Sequence, residues 1–153
     1  MKAKFLIPVF ISVVLGYGFS ELLIGSYDSR LESIFNDSDG AYFVKYKTYN
    51  SKAAMEEDTE ALDDFIYIVE RDKYHVVLGI SKNQTNAENL KAIHKENGNE
   101  SSIVRRNIFN IEFVNKLVQY DTLMQISNDT KNTLLINQKI LQLYQEMETR
   151  NDA

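Results

Sequence analysis

The chain has 153 residues and no cysteine. It can form no disulfide and no Cys–His nucleophile, so any domain it folds must hold together by core packing alone. Positive charge is also short: 17 Lys and Arg stand against 22 Asp and Glu, for a formal net charge of -5. Nucleic-acid binding usually rests on a basic footprint, which this composition lacks. Histidine is nearly absent. His75 and His94 fall on a predicted strand and a predicted helix without metal-ligand spacing, which predicts no metal site. No Gly-rich phosphate loop and no Ser-His-Asp arrangement can be assembled. The carboxylates Glu56-Glu57-Asp58 and Asp63-Asp64 are adjacent in sequence, so on a helix they point in different directions and read as a solvated face. We therefore expect no enzyme and no cofactor.

What is present begins at the N-terminus. Lys2 and Lys4 precede an apolar run from Phe5 to Ile24, with Glu21 as its only charge. Roughly 20 mostly apolar residues suffice to cross a bilayer as a helix. The lysines keep the N-terminus cytoplasmic by the positive-inside bias, so residues 1–24 are expected to be a single-pass anchor with everything after them outside. Pro8 lies early in the run, where a membrane helix tolerates it. A cleaved secretory signal is the competing reading; Glu21-Leu22-Leu23-Ile24 extends the run past the small residues Gly16, Gly18 and Ser20, which favours the anchor. Either way the rest of the chain is exported.

Residues 25–40 are polar and end in Asp37-Ser38-Asp39-Gly40, a linker signature. The pattern then changes. Ala41–Tyr49 alternates with period two, placing Tyr42, Val44 and Tyr46 on one face and Phe43, Lys45 and Lys47 on the other. Asn50-Ser51 can cap a helix that spaces Met55, Leu62 and Phe65 or Ile66 along one side. Ile66–Glu70 and Tyr74–Ile80 read as strands joined by a short turn at Arg71–Lys73. Thr85–Glu88 has capping-box spacing, opening a helix with Ala87, Leu90 and Ile93 inside; Asn97-Gly98 stops it, and Ser102–Arg106 is a fourth strand. The order is the split βαβ plan: an α+β, ferredoxin-like domain with four antiparallel strands and two helices on one face. Beyond Asn110, Phe113, Leu117, Tyr120 and Met124, then Ile136, Ile140, Leu143 and Met147, recur at helical spacing around a break at Ser127–Asp129. This predicts a C-terminal helical hairpin over residues 110–153, packed on itself or the domain, or offered to a partner or a second copy.

Tyr42–Met55, Tyr74–Ile80 and Asn86–Leu90 together resemble the sporulation-related repeat (SPOR) domain, a bacterial peptidoglycan-binding module. Its first strand typically runs aromatic-x-Val-Gln-Val-Gly-Ser-Phe and its third Tyr-x-Val-x-Val-Gly. The match covers Ala41 to Arg106. Lys45 stands where the family usually has Gln and Lys47 where it often has Gly; Thr48 and Tyr49 replace Ser and Phe. The resemblance implies non-catalytic binding of peptidoglycan glycan strands freed of their peptides, on the exposed sheet face, at division or sporulation septa. That face would present Phe43, Lys45, Lys47, His75 and Val77, with Gly79 leaving room for close approach. An aromatic ring can pack on sugar C–H faces, and ammonium or imidazole groups can donate to hydroxyl, acetamide or lactyl carboxylate oxygens. The same fold serves RNA-binding modules, but export and negative charge argue against RNA. The alternative expectation is an envelope scaffold that recruits a protein partner through its C-terminal helices without binding glycan.

Overall fold

The computed structural model describes residues 40–151 of the chain. The expected anchor, residues 1–24, and all but the last residue of the expected linker lie outside the described residues. Among those described, no helix is long and apolar enough to cross a membrane.

The order of elements is β1 (Gly40–Tyr49), α1 (Lys52–Thr59), β2 (Ile66–Glu70), β3 (Lys73–Ser81), α2 (Gln84–Glu96), β4 (Ser102–Asn107), α3 (Ile111–Ile126) and α4 (Thr130–Asn151). The strands form one sheet in the order β2-β3-β1-β4, and every neighbouring pair is antiparallel. This is the α+β arrangement of the split βαβ plan, with two further helices.

Local chemistry sets most boundaries. Ser51 caps α1 by accepting from the Ala54 amide at 3.3 Å, but the helix ends at Thr59 rather than running on to Ile66. Met55 is buried while Leu62, Asp63 and Asp64 lie in loop. The β2–β3 turn holds Arg71 and Asp72 at φ 49° and 59°, the left-handed pair that a two-residue hairpin requires. The cap of α2 is Asn83, whose side-chain oxygen accepts from the Asn86 amide at 3.1 Å. The capping box expected at Thr85 therefore opens two residues late. Gly98 follows the helix at φ 85°, the conformation glycine adopts without steric cost. Asn110 caps α3 in the same way as Asn83, through the Phe113 amide at 2.9 Å.

The core is built from both ends of the chain. Phe43, Val44, Leu78, Ile80 and Leu90 are fully buried, and so are Leu117 of α3 and Ile140 of α4. The inner stripe of α2 is Asn86, Ala87, Leu90 and His94; Ile93, expected inside, is half-buried. The C-terminal hairpin is joined to the domain by polar contacts as well. Asp121 accepts from the Ser81 hydroxyl, from the Lys82 amide at 2.7 Å and from Asn86 Nδ2 at 3.1 Å. Asn137 Nδ2 donates to the Leu78 carbonyl at 2.7 Å. Gly79 permits this approach: a Cβ there would stand 2.9 Å from Leu90 Cδ1 and 3.0 Å from Asn137 Oδ1.

Candidate functional site

Residues opposite one another in an antiparallel ladder project from the same face. The pairs Ala41↔Arg106, Phe43↔Ile80, Phe43↔Val104 and Lys45↔Val77, with Ile66↔Val77, Ile68↔His75 and Glu70↔Lys73, define one face. It carries four of the five residues expected at a site: Phe43, Lys45, His75 and Val77. Lys47 is not with them. The β1–β3 register shifts between Lys45 and Thr48, so Thr48 stands opposite His75. Lys47 turns instead to Asp58 of α1, at 2.7 Å, and over the Tyr46 ring, 4.7 Å from its centroid. That hydrogen bond to Asp58 holds the Lys47 ammonium well above its ordinary value and the Asp58 carboxyl below its own.

The face is not open in the way the resemblance implies. Phe43 and Val77 are 1% and 2% exposed, a correction to their expected role as contact residues. Tyr144 of α4 meets the Phe43 ring edge-on at 5.6 Å and the Phe113 ring at 5.3 Å. Two apolar patches, one on the sheet and one on the hairpin, thus bury each other. Phe43 and Val77 are thus floor, not surface.

A charged rim surrounds that floor. His75 Nδ1 lies 3.0 Å from the Thr48 hydroxyl. Its Nε2 lies 4.0 Å from a Glu70 carboxylate oxygen. Arg106 pairs with the other Glu70 oxygen and its guanidinium stands 5.6 Å from the Phe43 centroid. Burial lowers the His75 pKa first, and the nearby cations Lys45, Arg106 and Lys73 lower it further, against an opposing pull from Glu70. Four strands thus bring Lys45, Glu70, Lys73 and Arg106 within electrostatic reach of the His75 imidazole. Lys45 makes no ion pair among the described residues. Tyr144 borders the group; burial pushes its hydroxyl up to about 12, Glu148 beside it raises it further, and Arg106 and Glu70 also act on it.

Arg106, Glu70 and Lys73 were not singled out from sequence. Arg106 is visible as the end of a strand, but only the register with Ala41 shows which face it shares. The rim offers cationic donors that can hold a carboxylate or hydroxyl oxygens. His94, the other histidine, is a core residue of α2. No group of His, Asp and Glu that could hold a metal ion occurs among the described residues.

No protein-family model matches this chain, and no curated protein matches it. Among solved structures it is similar to the peptidoglycan-binding domain of the B. subtilis cell wall lytic enzyme CwlC. The identity is 25% and the TM-score 0.39, over 46% of this chain and 95% of that domain.

Proposed function

We propose that this chain is a non-catalytic protein of the bacterial cell envelope, tethered by its N-terminal apolar segment, that binds peptidoglycan glycan strands through the charged rim of its sheet. The observation that carries the reading is the gathering of Lys45, Lys73 and Arg106 around His75 in a chain whose net charge is -5. Local cation density against the global sign is a feature that solubility does not require. Muramic acid freed of its peptide has a carboxylate beside sugar hydroxyls, which such a rim can hold by charge-assisted hydrogen bonds. The resemblance of Tyr42–Met55 and Tyr74–Ile80 to SPOR strands supports the same ligand class and a role at division or sporulation septa.

The experiment is capture of the full-length chain on purified sacculi, before and after amidase treatment that strips the peptides. Capture is expected to rise on stripped walls and to fall in Lys45→Glu. Equal failure of wild type and variant to bind either wall, from folded protein, would sink the reading.

A second reading, a protein-interaction scaffold, is favoured by one observation. Phe109, Ile111, Leu123, Ile126 and Leu135 leave large apolar side chains in solvent on and beside the C-terminal helices. Half of the seam that could have packed internally or paired with another chain is consumed internally: Phe113, Leu117, Met124 and Ile140 are buried, while Tyr120, Ile136, Leu143 and Met147 are half-buried. A scaffold would therefore use these outer residues. Loss of envelope partners on Ile126→Glu, with sacculus capture unchanged, would support it.

A further inference from the structure

The rim has a carboxylate already in it. Glu70, the last residue of β2, reaches across to Arg106 on β4, the opposite edge of the sheet. Its other oxygen lies 4.0 Å from His75 Nε2. Both residues remain partly exposed, with side-chain exposures of 48% for Glu70 and 27% for Arg106. An ion pair at such exposure contributes little to stability, so the two partners can separate at low cost. The Arg106 guanidinium is held in place independently of Glu70 by the aromatic ring of Phe43 beside it. Ala41, opposite Arg106, is fully buried, which anchors this strand register. The Arg106 guanidinium facing the Glu70 carboxylate is therefore held by the sheet and the Phe43 ring, while Glu70 stands beside a tight turn with no ring to hold it.

We infer that Glu70 is an internal stand-in for a ligand carboxylate, occupying an anion subsite made by Arg106 and His75 with Lys45 nearby. The inference rests on the glycan-binding reading and deepens it: it names the carboxylate of the sugar acid as the group recognised and Glu70 as the residue that sets the threshold for binding. A saccharide carboxylate displaces the Glu70 side chain from Arg106. A neutral amino sugar has no group to do so and gains nothing from the subsite. Glu70 thereby weakens the binding of acidic sugars and leaves that of neutral sugars unchanged, so it sets the threshold that a sugar carboxylate must pass.

The test compares full-length wild type with Glu70→Gln, in wild-type and Arg106→Gln backgrounds. The ligands are N-acetylmuramic acid and N-acetylglucosamine, followed by NMR of the His75 ring. The amide keeps the size of the side chain and sits half-exposed, so melting temperature serves as the check on folding. Glu70→Gln is expected to bind N-acetylmuramic acid about two- to fivefold more tightly, the fold-change that loss of an exposed competing ion pair gives. Binding of N-acetylglucosamine should not change, and the gain should vanish in Arg106→Gln. An unchanged or lower affinity for N-acetylmuramic acid, with sacculus capture intact, would overturn the stand-in while leaving wall binding in place. An equal gain for both sugars would overturn it too. Absence of any response to N-acetylmuramic acid, together with no capture on sacculi, would remove the glycan reading and the stand-in with it.

Discussion

Tyr144 shows how much one side chain can decide. It is 7% exposed and meets both Phe43 and Phe113 edge-on, so it joins the sheet to both C-terminal helices. Truncation to alanine removes two aromatic contacts and leaves a cavity between layers. Tyr144→Ala should cost about 3–5 kcal/mol in urea unfolding, as for other buried aromatics. Tyr144→Phe keeps the ring and should cost about 1 kcal/mol or less. A small loss in both variants would mean that the sheet face is not closed by this ring. His94 carries a pH signature. Burial lowers its pKa below the ordinary 6.5, with a backbone hydrogen bond to Leu78 opposing. Below that value the unfolded chain binds the proton more readily, so stability present at neutral pH is lost as pH falls through 6.5 towards the folded value. Asp121 acts with the opposite sign. Burial raises its carboxyl against several hydrogen bonds, so it gains stability as pH falls from its folded value towards 3.8. Between about pH 7.5 and about pH 5.5, where histidine dominates, melting temperature should fall less in His94→Leu than in wild type. Parallel curves would remove His94 as the source.

At the scale of elements, the strands were legible because their information is local. Period-two alternation in Ala41–Tyr49 and the apolar run of β3 predicted strands within one or two residues of those found. Even the β2–β3 turn was legible from the spacing of its strands, although Arg71-Asp72 lacks the glycine or asparagine that left-handed positions favour. What alternation cannot tell is whether a face is wet. Phe43 sits on the face read as exposed, because a strand buried on both sides and one buried on a single side can begin with the same few residues. The cover comes from α4, a hundred residues further along, and no local pattern encodes that distance. The same holds for Lys47, whose departure depends on a register shift that only the pairing with β3 reveals. The helical hairpin is therefore part of the core and not an appendage. A chain ending at Asn110 would expose Phe43 and lose the bonds of Asp121 and Asn137 to β3 and α2. It should lack a cooperative unfolding transition in calorimetry. A sharp transition from that fragment would show that the four strands and two helices fold alone.

For the whole molecule the interesting quantity is a conflict of charge. The chain carries a formal net charge of -5, while the rim around His75 holds Lys45, Lys73 and Arg106 with Glu70 among them and Glu148 at the bordering Tyr144. Under the proposed function the ligand, a glycan strand bearing free carboxylates, is an anionic polymer that the rim would attract and the net charge of the chain would repel. The two effects have different ranges. Net repulsion acts over the size of the domain and is screened first; contacts of the rim act over a few ångströms and survive until screening reaches that length. Capture of the full-length chain on stripped sacculi should then pass through a maximum as salt is raised. Repulsion dominates near 0.01 M, where the Debye length is about 30 Å, and the rim contacts weaken towards 1 M, where it is about 3 Å. Co-sedimentation across that range reads the curve directly. In Lys45→Glu the attractive part shrinks, and the maximum should be lower. A steady rise of capture up to the highest salt would assign binding to apolar contact, which the exposed residues of the hairpin could make and the rim could not.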